Sequence, residues 1–163
     1  MGVGQGSASK STIVLAANPK GKFWEGTILD TSKPGTCLEI AAATNPAAGR
    51  HSFQHVQTGA SGAQREVIIL IEDDLQGFPV GTAYVAGTRC RAYTPAPGEE
   101  VNVLRKDVAG TADDQAIGDL LGIEGTTGKV IANSSFLSVP FRAMEAITDP
   151  TADQLTWVEA TGH

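Results

Sequence analysis

The sequence predicts an all-β protein: a single antiparallel β-barrel or β-tulip/sandwich-like domain with an extended N-terminal arm and at most one short helix. Three observations carry that prediction. Glycine makes up 19 of 163 residues, well above the usual ~7%, and 8 prolines join it in breaking the chain at short intervals, which suits turns between strands. Between the breaks lie apolar or alternating runs of ordinary strand length. None sustains the 3.6-residue period of an amphipathic helix.

From the N-terminus, residues 1 to 20 are expected to form a flexible arm and residues 21 to 163 the barrel. Residues 1 to 12, mainly Gly, Ser, Lys and other small side chains, bury too little apolar surface to offset their ordering unless a partner holds them. The segment Lys20-Gly21-Lys22-Phe23-Trp24 then sets two large aromatics beside glycines. Buried aromatic anchors dominate many protein interfaces, so Lys20, Lys22, Phe23 and Trp24 are the candidate partner-binding residues. Trp24 has two readings, a plug for the end of its own barrel or a contact with a neighbouring subunit.

Strands are expected at Thr36 to Ala43, His51 to Gln57, Arg65 to Glu72, Ala83 to Tyr93, Glu99 to Arg105, Lys129 to Ala132, Phe141 to Thr148 and Gln154 to Ala160. The run from Arg65 to Glu72 is continuous, rich in β-branched residues and closed by charges, the pattern of a strand buried on both faces and hence the centre of the core. Asp113 to Leu121 has a capping Asp and helical spacing at Ala116, Ile117, Leu120 and Leu121, with Gly118 interrupting, and is the one short helix expected. On the terminal strand Trp157 alternates with Leu155 and is expected to face the core. Strands spaced so evenly must close or stack to hide their edges. No stretch repeats another closely enough to predict a duplicated unit.

Composition narrows the function. Eighteen acidic against twelve basic residues give a net charge of −6, so counterion release offers little toward nucleic-acid binding, and anionic membranes are disfavoured by the same sign. The longest aliphatic run, Val67 to Ile71, is far short of the ~20 residues that cross a bilayer. The first residues lack the apolar stretch of a secretory signal, so no export is expected. Cys37 and Cys90 are then expected to be reduced thiols, a single bridge being the alternative.

Motifs with catalytic overtones dissolve on inspection. Gly125-Thr126-Thr127-Gly128-Lys129 lacks the leading Gly and trailing Ser or Thr of a phosphate loop, with Ile123 and Val130 in those places, and reads as a hairpin turn. Gly2-Val3-Gly4-Gln5-Gly6 follows no strand that would present a dinucleotide. His51, Phe53 and His55 share a strand face, but two imidazoles without a third ligand nearby make no zinc site. The acidic pairs Asp73-Asp74, Glu99-Glu100 and Asp113-Asp114 flank strands or turns, where adjacent side chains diverge and charge keeps edges soluble. Asn133-Ser134-Ser135 matches a glycosylation acceptor that has meaning only on a secreted chain. No enzyme, cofactor or metal is expected.

Three turns appear in sequence: Asp73-Asp74-Leu75-Gln76-Gly77, then Ala83-Tyr84-Val85-Ala86-Gly87-Thr88, then Tyr93-Thr94-Pro95-Ala96-Pro97-Gly98-Glu99-Glu100-Val101. Phe141-Arg142-Ala143-Met144-Glu145-Ala146-Ile147 and Leu155-Thr156-Trp157-Val158 add a closing hairpin. Together these resemble the head-decoration, or cement, proteins of tailed bacteriophages, although Thr88 stands where that pattern has Asp. The resemblance implies a β-barrel or β-tulip protein, usually trimeric, at three-fold or quasi-three-fold points of the head. Its partners would be the major capsid protein and its own copies, and its place the capsid surface of a virion assembled in the host cytoplasm.

The function expected is therefore structural: binding an assembled shell and raising its resistance to rupture. One alternative is a virion module that recognises host glycan, for which an exposed aromatic platform near Trp24 would speak. The other is a trimeric nucleotide-hydrolysing barrel, which needs a Gly, an Asp and a Tyr in close succession as a nucleoside pocket, and the sequence shows none.

Overall fold

A computed structural model describes residues 10, 12–15, 17–41, 51–56, 66–107, 114–132, 140–148 and 152–161. Residues 1–9, Asp113, Asn133–Ser135 and His163 lie outside this set. Among the described residues ten strands run in order: β1 Lys22–Ile28, β2 Cys37–Ile40, β3 His51–His55, β4 Ile68–Leu70, β5 Arg89–Thr94, β6 Glu100–Arg105, β7 Leu120–Ile123, β8 Val130–Ala132, β9 Phe141–Ala143 and β10 Gln154–Ala160. The helical element among the described residues is a single 3-10 turn, Asp74–Gln76.

The all-β expectation holds, but the strands close into two sheets where one barrel was expected. The first ring runs β1-β3-β2-β4-β5 and the second β10-β6-β8-β7-β9. Each also contains one parallel pair, β1 with β3 and β6 with β8, against the expected antiparallel barrel. Strand length explains the division. A ten-stranded barrel has a wide lumen that strands of three to seven residues cannot line and fill, whereas five strands enclose a space that a few side chains occupy.

The two rings are the same structure built twice. In the first, Leu38 stands opposite His55 and Ile68, Ile28 opposite Phe53, Glu25 opposite Arg91 and Ile69 opposite Tyr93. In the second, Leu121 stands opposite Ala132 and Phe141, Arg105 opposite Val130, Asn102 opposite Trp157 and Arg142 opposite Glu159. Pairing, direction and register coincide strand for strand. The loops coincide too: Ser32 and Tyr84 exchange both backbone hydrogen bonds, as do Gln115 and Ile147, and Gly35 and Gly118 both sit at φ +93. The duplication escapes a sequence comparison because matched positions carry different residues, Ile28 for Arg105 and Phe53 for Val130 among them.

Alternation assigns the interiors. Ile28, Leu38, Phe53, Ile68, Leu70, Tyr84, Cys90 and Ala92 fill the first barrel. A second, larger cluster joins Val101, Val103, Leu121, Val130, Phe141 and Val158 of the second barrel to Cys37, Ile69, Ile71 and Tyr93, which lie on the outer wall of the first. The barrels thus share a core across their seam, and β4 is buried on both faces as the run from Arg65 to Glu72 predicted.

Three local expectations need correction. The stretch Asp113 to Leu121 forms no helix in its described part: Gln115 makes a bridge, Ile117 and Gly118 turn, and β7 begins at Leu120. The left-handed Gly118 selects the turn over the apolar spacing. Trp157 is half-buried on the outside of β10, because Thr156, Val158 and Ala160 take the inward positions. The arm is held at its C-terminal end, where Ile13 is fully buried in the shared core and residues 12 to 15 run along β6, with Ile13 O accepting from Asn102 N at 2.8 Å. Ile13-Val14-Leu15 is the apolar part of the arm, and Ile13 is the side chain that it buries.

Two measurements test this packing. Ile13→Ala should lower unfolding stability by about 2–5 kcal/mol in a denaturant melt, as a cavity in a shared core does; a change under about 0.5 kcal/mol would mean that the segment is not docked in solution. Cys37 and Cys90 are both unbridged and buried, and burial pushes the Cys90 thiol up to about 12 and that of Cys37 higher still. Intact mass measurements should therefore show no alkylation of the native protein and two labels after denaturation without reductant.

Candidate functional site

The four candidate residues fall on β1 and its lead-in. Alternation sends Lys22 and Trp24 to one side of the strand and Phe23 to the other. Trp24 is half-buried against the interior cluster of the first barrel, its Nε1 donating to Thr94 Oγ1 at 2.9 Å. The His51 ring meets it edge-on at 5.0 Å and the Lys22 ammonium covers its other aspect, 3.5 Å from the ring centroid. Of the two readings of Trp24, this geometry supplies the plug.

Phe23 faces outward. It is 47% exposed, packs against its cross-strand partner Tyr93 with ring centroids 4.7 Å apart and planes tilted by 47°, and has the Arg91 guanidinium 6.0 Å from its ring. Lys20 contributes its backbone: its N–H donates to the Glu99 carboxylate. The four residues therefore form one edge of the first barrel, with an aromatic ring and two cationic side chains, Lys22 and Arg91, presented around a fixed Trp.

What fixes this edge is Glu99, which the sequence placed among the solubilising acids. It is buried, only 8% exposed, and takes hydrogen bonds from Tyr93 Oη at 2.5 Å and Ala96 N at 2.7 Å besides that from Lys20. Tyr93 Oη in turn accepts from Gly21 N at 2.8 Å. Burial would raise the Glu99 carboxyl, but the donors outweigh it and hold it below the ordinary carboxylate value. Burial and the hydrogen bond to Glu99 push Tyr93 up to about 12. A single carboxylate thus joins the start of β1, the end of β5 and the start of β6. Its only sequence signal is its place in the Pro-x-Pro-Gly-Glu turn, and nothing in that pattern marks burial.

The seam between the barrels holds a second polar cluster that sequence reasoning passed over. A cleft of about 480 Å3 is lined by Thr31, Lys33, His55, Thr127, Lys129 and Asp153 among others. His55 Nδ1 lies 2.7 Å from the Thr126 carbonyl, which only accepts, so Nδ1 is a donor there. Its Nε2 lies 2.7 Å from Ser32 Oγ, and Ser32 Oγ also lies 2.9 Å from the Asp30 carbonyl. A serine against an imidazole is how hydrolases activate a nucleophile, but this hydroxyl is buried and braced by a backbone carbonyl. The contact works as a strut across the seam, from β3 of one barrel to the β7–β8 turn of the other. That turn, Gly125 to Lys129, is the hairpin that the sequence predicted. Lys129 Nζ reaches Asp153 Oδ2 at 2.5 Å; burial opposes ionisation of Asp153, but this bond and the Asp107 N–H hold its carboxyl low.

His51 and His55 do not gather ligands: among the described residues no group of three His, Cys, Asp or Glu side chains is placed to hold a metal ion. Nor is any helix among them long and apolar enough to cross a membrane.

The sequence matches no protein-family profile and no curated protein. In fold the chain is similar to the N base of head fiber gp8.5 in bacteriophage phi29, with a TM-score of 0.52 over 86% of this chain and 94% of that one, at 10% identity. At that identity the likeness is one of architecture.

The Glu99 knot yields a signed pH prediction. Because the folded state lowers this carboxyl's pKa, its contribution is present above the ordinary carboxylate pKa and is lost as pH falls through the lowered folded value. Glu99→Gln should cost about 1–3 kcal/mol at neutral pH, the range for a lost buried charged hydrogen bond. The gap between variant and parent should narrow in acid. A gap constant from neutral pH to strong acid would remove Glu99 from this role.

Proposed function

We propose that this chain is a structural component of a tailed-phage head. It binds the outside of the assembled shell as a homo-oligomer, most simply a trimer, and raises the shell's resistance to rupture, without enzymatic activity, cofactor, nucleic acid or membrane. The observation that carries the reading is the likeness in fold to a phage head-fiber base, which extends over nearly all of both chains. The turn series from Asp73 to Val101 supports the same assignment from sequence.

The physical basis is mass action. A protein that binds the assembled lattice and not its dissociated subunits stabilises the lattice by an amount set by affinity and free concentration. Many weak sites then act together. Phe23 with Arg91 is the part of the first barrel assigned to the shell, with Lys22 over Trp24 on the other side of the same strand, since an exposed aromatic beside a cation supplies both an anchor and charge. A trimer of two-barrel chains presents six barrels of one architecture to a lattice of repeated subunits.

Purified phage heads assembled from major capsid protein and lacking this chain provide the test. Added protein should sediment with the heads and raise the temperature at which they release DNA. Phe23→Ala should reduce occupancy while leaving the circular dichroism and melting of the free protein unchanged. Trp24→Ala is a less clean probe because Trp24 also closes its own barrel. Full-length protein that never associates with heads would overturn the assignment; normal decoration by Phe23→Ala would remove only the aromatic edge from it.

A further inference from the structure

We infer that the second barrel carries a docking wall for the first barrel of another copy of this chain, centred on Gly118, Asp119 and Leu120. The inference comes from the duplication and is independent of what the assembly binds.

Within the chain, the first barrel docks on the second through its β1–β2 turn. Gly35 O accepts from Leu104 N at 2.8 Å, and Cys37 N donates to Gly128 O at 2.7 Å. A side chain at Gly35 would collide with Leu155 Cδ2 at 2.5 Å. Carried through the register, Gly35, Thr36 and Cys37 become Gly118, Asp119 and Leu120. The turn is the same: Gly118 N donates to Ala143 O as Gly35 N does to Leu70 O, both at 2.8 Å. Its surroundings are not. Among the described residues a Cβ at Gly118 would meet nothing within 4 Å, Leu120 is 48% exposed where Cys37 is fully buried, and Ile117 beside it is 70% exposed. The surface that one barrel covers in the first half stands uncovered in the second.

The occupant follows from the other side of the same seam. Leu104, Gly128 and Leu155, which receive the first barrel, correspond to Thr27, His51 and Arg89. His51 and Arg89 are exposed, and the Arg89 guanidinium lies 3.6 Å from a Glu25 carboxylate that is itself two-thirds exposed. Repeating the seam between two chains sets Asp119 against His51 and Gly118 against Thr27 and Arg89. At Gly35, Cys37, Leu104, Gly128 and Leu155 the intramolecular seam is apolar; its repeat joins a turn bearing Asp119 and Leu120 to a wall bearing His51 and Arg89, the wetter and charge-complementary form expected where both faces must also be soluble alone. Because the two faces differ, the contact is heterologous and propagates head to tail until a ring closes.

Light scattering on the full chain, with variants of each wall, tests this. The parent should be oligomeric, and Leu120→Glu and Arg89→Glu should each be monomeric with unchanged circular dichroism. A heterologous contact has a further signature: each variant keeps one intact wall, so their equimolar mixture should form a dimer seen by native mass spectrometry, and neither should do so alone. A monomeric parent, or an oligomer unchanged by either substitution, would overturn the inference. Oligomers that resist Arg89→Glu but not Leu120→Glu would show a symmetric contact of the second barrel with itself, which also overturns it. Failure to bind heads would count against the capsid role and leave this result untouched.

Discussion

The outer wall of the first barrel is apolar, and its burial against the second is the constraint on which the rest depends. Cys37, Ile69, Ile71 and Tyr93 face away from their own barrel and would face solvent if the halves separated. Full burial of such side chains contributes about 1.5–3 kcal/mol each for the larger ones, which a three-residue strand such as β4 could not recover inside its own barrel alone. Two glycines set how closely the halves approach. A Cβ at Gly35 would lie 2.9 Å from Leu104 N, and one at Gly128 would lie 2.3 Å from Cys37 O. The seam is therefore a backbone contact first, with side chains packed around it.

From that seam the candidate surface is positioned in two steps. Tyr93 belongs to the shared core through its ring and to the Glu99 knot through its hydroxyl. The knot then holds Lys20 and Gly21, and Gly21 delivers the chain into β1 in the register that seats Trp24 in the barrel end and leaves Phe23 outside, packed at a tilt against that same Tyr93. An exposed aromatic is useful to a partner when it is rigid before binding, since ordering a rotamer-rich side chain costs affinity. Phe23 is rigid because its support reaches the core.

What could be read from the sequence is what alternation and turn chemistry encode. β10 falls on Gln154–Ala160 as expected and β6 within one residue, and the Gly125 to Lys129 hairpin was visible in its glycines. β1 carries no strand signal because Lys22-Phe23-Trp24-Glu25-Gly26-Thr27-Ile28 mixes charge and aromatic residues; its inward side is a plug, a glycine and the single aliphatic Ile28 rather than an aliphatic row. A Cβ at Gly26 would lie 2.4 Å from a Phe53 ring carbon, so the glycine makes room for that ring. β7 was taken for the end of a helix because Leu120 and Leu121 continue a helical spacing that Gly118 had already ended. The four candidate residues form one segment of sequence, whereas Glu99 and Ser32 carry no mark, since a buried polar group in a turn looks in sequence like any solvated one; His55 shows in sequence only as a histidine on a strand face.

The duplication was the least legible feature, and the reason is physical. The two barrels agree in hydrogen-bond register and turn conformation, while inward positions exchange Ile28 for Arg105, Tyr84 for Ile147 and Cys90 for Thr156. A small closed barrel asks that each interior be filled and each turn be possible, and many residue sets meet both demands. The walls were then free to diverge by use. In the first half, Cys37, Ile69, Ile71 and Tyr93 form a buried face; their counterparts Leu120, Arg142, Met144 and Glu159 form a half-exposed one in which Arg142 and Glu159 are cross-strand neighbours of opposite charge. One backbone therefore carries a buried interface in one half and a half-exposed, charged face in the other. A side-chain comparison between the halves finds mostly these differences, whereas a hydrogen-bond comparison finds the identity beneath them.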